Sequence, residues 1–216
     1  MAVSVTLDQI NRLAPNARSS YREAFQNGQP LLDEFGISVS ALRVAHFMAQ
    51  VLHESGGLAN QIESLNYTAA RLPKVWPKRF KPIGPLDPAE FAHNQEKLGN
   101  AVYGGRMGNT GPTDGFTYRG RGLLQLTGKD SYKKATDTLR AMHPEAPDFA
   151  ASPDEVFGSR WCLAIAAAEW ADRGCNAEAD ADNVRGVTLA INGGLIGLRD
   201  RTDWLQRTKA VWLERR

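Results

Sequence analysis

The clearest alternation of apolar and polar positions lies between residues 40 and 57. Apolar side chains recur there at three- and four-residue intervals, which is the spacing of a helix with one buried face. They are Leu42, Ala45, Met48, Ala49 and Leu52. Ser38 or Ser40 can cap the start of this helix, and Gly56-Gly57 can end it. The pattern therefore predicts a helix whose last turn carries His53 and Glu54.

Similar spacing predicts further helices along the chain. Residues 160–173, capped by Ser159, are apolar on nearly every face, so we expect a central buried helix there. The other predicted helices cover 7–13 (capped by Thr6), the region around 21–25, 31–36, 69–75, 88–99, 130–142, 184–189 and 198–216.

Residues 99–128 differ from the rest because they hold nine of the 20 glycines. So much glycine disfavours helix and favours turns and short strands, with 116–128 as a hairpin or strand-turn segment. The expected fold class is mainly α, with a helical body, a small glycine-rich β-containing insert and a central buried helix.

Composition narrows the class of protein. With 216 residues, 42% apolar and 23% charged, the chain is typical of one globular domain. A net charge of +2 does not indicate nucleic acid. We expect neither a secretory signal nor a membrane span, since no apolar run approaches ~20 residues. Cys162 and Cys175 should lie roughly 18–20 Å apart along a helix, which predicts free thiols.

Two carboxylates, Glu54 and Glu63, are candidate catalytic residues. Glu54 lies where the negative end of a helix dipole and partial burial both disfavour ionisation, as a general acid requires. Glu63 follows nine residues later, and such a pair is a plausible frame for glycoside hydrolysis. The alternative is that both are solvated surface charges. His46 and His53, about 10 Å apart along the helix, are too distant to share a metal ion.

Four short motifs occur in a fixed order: His53-Glu54-Ser55-Gly56-Gly57, Glu63-Ser64-Leu65-Asn66-Tyr67, the run from Tyr118 to Gly128, and Ala190-Ile191-Asn192-Gly193-Gly194. Together they resemble glycoside hydrolase family 19, the chitinase class with a lysozyme-like α+β fold. The block 102–109, Val-Tyr-Gly-Gly-Arg-Met-Gly-Asn, resembles the bacterial and bacteriophage branch, which includes phage endolysins. The likeness covers about residues 40–200.

The resemblance implies roles for individual residues. Glu54 matches the general acid, Glu63 the general base that activates water, and Thr127 a hydroxyl that helps to hold that water. The substrate-binding residues that it implies are His53, Asn66, Tyr67, Tyr118, Gln125, Ser131 and Asn192. The family mechanism inverts the anomeric carbon, so the two carboxyls should stand about 6.5–9.5 Å apart.

Structural alternatives remain open for several of these residues. Thr127 could bond its own backbone, and Asn192 with the glycines after it could simply stop a helix. Arg119 and Arg121 are expected to serve as structural ion-pair partners, and either could neutralise Glu169 inside the apolar helix. Ile196 stands where plant members carry an acid, which leaves open what ion pair steers Glu54.

The expected protein is a single lysozyme-like catalytic domain over 1–216 without a separate wall-binding domain. We expect an endolysin-type glycosidase that cleaves β-1,4 bonds of peptidoglycan, with chitin as the alternative substrate. We expect no metal or organic cofactor, no nucleic acid, no stable membrane insertion, and a monomer whose partner is the glycan strand. It would be made in the host cytoplasm and reach the periplasmic cell wall after a separate protein permeabilises the membrane.

Two other classes stay open at this point. In a lytic transglycosylase a single Glu acts, so changing Glu63 would matter little. In a catalytically silent sugar-binding module, Glu54→Gln would leave wall binding intact. The basic stretch from 199 to 216 is expected to be a packed surface helix, with contact to an anionic membrane or wall polymer as the alternative.

Overall fold

A computed structural model describes residues 2–213 of the chain. In this part the structure has twelve α-helices and two short 3₁₀ segments, Pro88–Glu90 and Pro153–Phe157. The helices are α1 Leu7–Leu13, α2 Ser19–Gln26, α3 Gln29–Glu34, α4 Ala41–Glu54, α5 Leu72–Val75, α6 Gln95–Tyr103, α7 Asp114–Thr117, α8 Lys129–Met142, α9 Cys162–Asp172, α10 Cys175–Asp180, α11 Val184–Asn192 and α12 Leu198–Trp212. The mainly α fold class is confirmed.

The core is built around α4 and α9. Every residue of α4 from 44 to 52 is buried, and α9 is buried on nearly all sides, as its composition predicts. The two helices meet where Phe47 packs edge-to-face on Trp170, with 5.4 Å between ring centroids. Ser159 does not cap α9, because the N-cap position is Trp161 and no side chain bonds there. The short helix α10, which follows Gly174, was not predicted.

The glycine-rich insert differs from the expectation. Among the described residues it forms isolated bridges, such as Ile62 with Arg121, and no longer strand. The helices α6 and α7 occupy part of the region instead. A Cβ at Gly99 would lie 3.0 Å from the Cα of Phe116, and one at Gly115 would lie 2.6 Å from the Gly99 carbonyl. These two glycines therefore allow close packing of two helices rather than strand pairing.

Helix α12 packs against α4 and closes one side of the core. Arg201, Leu205 and Thr208 are its buried residues, and the Thr208 hydroxyl donates to the Ala45 carbonyl at 2.8 Å. The helix is therefore a packed element, while the predicted end at 214–216 lies outside the described residues. None of the helices described here is long and apolar enough to cross a membrane.

Both cysteines are free and buried, as predicted. Burial raises the pKa of the Cys162 thiol and of the Cys175 thiol to about 12. Both thiols therefore stay protonated near neutral pH, which fits a role in packing rather than in chemistry.

Candidate active site

A cleft of about 630 Å³ crosses one face of the molecule, and both predicted carboxylates line it. Its walls come from the end of α4, the loops after α4, α6 and α7, the start of α8, and the ends of α6, α9 and α11. The lining residues are Glu54, Glu63, Tyr103, Met107, Gly120, Leu124, Gln125, Thr127, Ser131, Glu169, Arg173, Ile191, Asn192 and Gly193.

Glu54 is the last residue of α4, a helix that begins with the Ser40 hydroxyl capping the Arg43 N–H at 3.1 Å. The guanidinium of Arg201, which is only 2% exposed, donates to Glu54 Oε1 from one arm and to Gln50 Oε1 from another. Glu54 itself is 18% exposed at the cleft. The ion pair that holds the candidate acid is thus supplied by α12, which the sequence did not reveal.

His53 contacts α12 and is not among the residues that line the cleft. Its Nδ1 lies 2.5 Å from Asp200 Oδ2, and a Cβ at Gly197 would come within 2.6 Å of its Nε2. Gly197 has a φ of +76°, in the left-handed region that favours glycine. The backbone at Gly197 therefore packs closely against the side chains of both His53 and Arg201.

Glu63 is held by hydrogen bonds to the loop that follows α7 and to α6. Its N–H donates to the Gly120 carbonyl at 2.8 Å, and the Gly120 N–H donates to its Oε2 at 3.4 Å. The Tyr103 hydroxyl lies 2.8 and 2.9 Å from the two carboxylate oxygens. Burial raises the pKa of Glu63, although the hydrogen bond from Tyr103, that from Gly120 and the charge of Arg119 oppose the rise.

Tyr103 is a site residue that was not assigned from the sequence, although it belongs to the block 102–109 that carried the resemblance. Burial and the neighbouring Glu63 both raise the pKa of Tyr103. Its hydroxyl therefore stays protonated, so it is a permanent donor to the Glu63 carboxylate.

Gly120, Gln125 and Thr127 lie together beside Glu63. A Cβ at Gly120 would stand 2.9 Å from Gln125 Oε1, 3.3 Å from Glu63 Cβ and 3.4 Å from Thr127 Oγ1. The Thr127 hydroxyl donates to the Gln125 carbonyl at 2.7 Å. Its proton is therefore used locally, and its lone pairs remain available to accept a hydrogen bond.

The other predicted binding residues divide into two groups. Ser131 and Asn192 line the cleft, whereas Asn66 and Tyr67 do not; Asn66 Oδ1 lies 2.8 Å from His93 Nδ1, and Tyr67 packs edge-on against Trp76. Tyr118 is buried, and its hydroxyl donates to the Ala150 carbonyl at 2.9 Å. Because its hydroxyl and ring are already used inside the protein, the expectation that Tyr118 binds substrate is corrected.

The predicted partner of Glu169 was also wrong. Its Oε1 accepts hydrogen bonds from Arg173, one turn further along, at 2.8 and 3.1 Å. Arg121 instead pairs with Asp154 at 3.0 Å, and the Arg119 guanidinium lies over the Phe116 ring, 3.8 Å from its centroid. Arg121 thus has the structural ion pair that was expected, whereas Arg119 stacks on an aromatic ring and forms no ion pair among the described residues. Glu169 and Arg173 form an ion pair in the cleft wall.

Comparison with known proteins agrees with this fold. The glycosyl hydrolase family 19 domain-containing protein of Haemophilus influenzae is 33% identical over 204 residues, spanning 93% of this chain and 94% of that protein. Chitinase C from Streptomyces griseus has the same fold at a TM-score of 0.57, with 19% identity over 98% of this chain and 93% of its own. A bacterial family 19 chitinase matches at a TM-score of 0.56, with 21% identity over 97% of this chain and 95% of its own. No family model matches the chain.

The mainly α fold, the two acids in one cleft and the similarity to the Haemophilus influenzae protein together define a glycoside hydrolase. The similarity to the Haemophilus influenzae protein extends over almost the full length of both chains. The chain belongs to glycosyl hydrolase family 19.

Proposed function

We propose that this protein is an endolysin-type glycosidase, which hydrolyses the β-1,4 bonds of bacterial peptidoglycan with inversion at the anomeric carbon. The observation that carries the proposal is the pair Glu54 and Glu63 in one cleft, each in a different environment. Glu54 is bound through one oxygen by a buried arginine, whereas the half-buried Glu63 accepts hydrogen bonds from two neutral donors. Two carboxyls in one cleft can divide the acid and base roles between them, and the family 19 motifs assign the acid role to Glu54 and the base role to Glu63.

Each side chain then has a defined task. Arg201 holds Glu54 Oε1, which leaves Oε2 to deliver a proton to the glycosidic oxygen. Glu63, fixed by Tyr103 and Gly120, accepts a proton from the attacking water. Thr127 lies next to the same Gly120 and can accept a hydrogen bond from that water. The water attacks from the face of the sugar opposite to the leaving group, which inverts the anomeric carbon.

Peptidoglycan is proposed ahead of chitin for two reasons. The loop between Glu54 and Glu63 has only eight residues, and so short a loop favours an open cleft that suits a cross-linked polymer. Tyr103, which holds Glu63, comes from the block 102–109 that resembles the bacterial and bacteriophage branch, which includes phage endolysins. Chitin remains the second candidate because the two solved structures compared above are chitinases. For its place of action we propose the cell wall, reached after a separate protein permeabilises the membrane.

The test is digestion of purified peptidoglycan and of chitin oligosaccharides, with mass spectrometry of the released ends. New reducing ends on N-acetylmuramic acid or N-acetylglucosamine identify the bond cut, and proton NMR of the first product shows its anomer. Glu54→Gln and Glu63→Gln should each lower the rate by about 10²–10⁴-fold. Glu96→Gln, an exposed position on α6 away from the cleft, is the matched control.

Three outcomes would contradict the proposal. Anhydro-sugar ends, or a Glu63→Gln variant as fast as the parent, would indicate a lytic transglycosylase. Wall binding without any cleavage would indicate a sugar-binding module. Cleavage of chitin alone would indicate a chitinase.

A further inference from the structure

A second pocket opens from the catalytic cleft between α8 and α9. It has a volume of about 270 Å³ and shares Ser131, Glu169 and Arg173 with the cleft, so a group attached to a bound sugar can pass from one into the other. Neither Glu54 nor Glu63 lines it. The pocket is therefore a side chamber of the cleft and takes no direct part in the acid–base chemistry.

The pocket combines an apolar floor with a charged rim. Leu126, Ile165 and Ala168 are buried and form the floor. At the rim, Lys134 pairs with Asp172, and Arg173 pairs with Glu169 at 2.8 Å. Small apolar groups can thus sit inside, while the two ion pairs make the mouth polar without giving it a net charge.

Glu169 adds a specific requirement for a donor. Its Oε1 is satisfied by Arg173, but its Oε2 is buried with no hydrogen-bond partner among the described residues. A buried oxygen without a partner is costly, and a ligand that brings an N–H group would remove that cost. Because Glu169 lines both the cleft and the pocket, the donor is needed at the junction of the two.

We propose that this side pocket binds the lactyl-peptide arm of N-acetylmuramic acid, with the first amide N–H of the arm donating to Glu169 Oε2. The arm offers methyl groups for the floor and an amide next to the sugar, and its more distant polar groups can stay at the polar mouth. The corresponding position of the sugars in chitin carries only a hydroxyl, which leaves the pocket empty. The pocket thus selects peptide-bearing glycan, an inference that rests on the proposed function.

The experiment compares two forms of one polymer: glycan strands that keep their stem peptides, and the same strands stripped by an amidase. The ratio of kcat/KM for the two measures what the arm contributes. The parent should favour the peptide-bearing form about tenfold, the worth of one satisfied hydrogen bond or about two buried methylene groups. Ala135→Phe, which fills the pocket from α8, should bring the ratio close to one.

Lys133→Phe is the matched control, because it adds the same ring to an exposed position of α8 that lines neither pocket. It should keep the parental ratio. Circular dichroism checks that both variants fold, and Ala135→Leu is a smaller change if Ala135→Phe does not. Binding of N-acetylmuramyl dipeptide to the parent, followed by NMR titration, provides a readout that needs no variant and should exceed binding of N-acetylglucosamine.

The results distinguish a failure of the pocket assignment from a failure of the proposed function. A parental ratio near one, or an Ala135→Phe variant that keeps the parental ratio, overturns the pocket while peptidoglycan cleavage stands. If neither strand is cleaved, the proposed function fails, and the pocket assignment fails with it. Equal binding of N-acetylmuramyl dipeptide and N-acetylglucosamine also overturns the pocket.

Discussion

The contact between Arg201 and Glu54 gives the sharpest test of how the site is held together. Arg201→Met keeps an unbranched side chain of similar length but removes the guanidinium. Glu54 and Gln50 then both lose their donor, in a region where the arginine is 2% and the glutamate 18% exposed. Breaking one side of a buried ion pair costs about 3–5 kcal/mol, because the remaining charge is uncompensated. Since Glu54 keeps some access to water, we expect the lower end, about 3 kcal/mol.

Urea denaturation followed by circular dichroism measures this loss. The midpoint should fall while the slope stays the same, which indicates a change of stability without a change of exposed surface. For a chain of this size, about 3 kcal/mol corresponds to a fall of roughly 6–12 °C in the thermal midpoint. The control is Asp200→Asn, one residue earlier, because Asp200 is 61% exposed where it meets His53. It should cost less than about 1 kcal/mol.

A double variant distinguishes the ion pair from simple packing. Arg201→Met with Glu54→Gln removes the uncompensated charge, so it should recover about 2 kcal/mol relative to Arg201→Met alone. If Arg201→Met is as stable as Asp200→Asn, or if the double variant recovers nothing, Arg201 does not compensate a buried charge and the reasoning about Glu54 is refuted.

Three further predictions follow from the same structure. Tyr103→Phe removes a hydrogen bond that lowers the pKa of Glu63, so the acidic limb of the kcat/KM–pH profile should move to higher pH; an unmoved limb would contradict the base role of Glu63. Gly197→Ala should destabilise the protein by about 1–2 kcal/mol more than Gly193→Ala in urea denaturation, since both glycines have a positive φ but only a Cβ at 197 meets His53; equal losses would refute the clash. Burial lowers the pKa of His46 from 6.5, although the hydrogen bond between His46 and Asp182 opposes this shift. Asp182 also binds Lys209. Because the folded chain binds a proton at His46 less readily than the unfolded chain, protonation favours the unfolded chain. The free energy of unfolding should therefore fall as the pH drops below 6.5, and it should fall less in His46→Gln.

Local pattern was sufficient for most of the helical framework. The capped start at Ser40, the apolar face of α4 and the glycines after Glu54 are all encoded within one short stretch, because helix periodicity and capping depend on neighbours in sequence. The same holds for α9, whose apolar composition predicts burial. The glycine-rich insert was misjudged because glycine favours turns locally, whereas here Gly99 and Gly115 permit two helices to touch.

The contacts within the candidate site could be predicted only in part from local sequence pattern. The sequence by itself determined the spacing of Glu54 and Glu63 and the order of the motifs around them, and the resemblance to family 19 pointed to Gln125, Thr127, Ser131 and Asn192, which line the same cleft. Only the tertiary structure decided that Arg201 holds Glu54 across 147 residues, that Tyr103 holds Glu63, and that Glu169 turns to Arg173. An ion pair between distant residues depends on how helices pack on one another, and no local propensity encodes that packing.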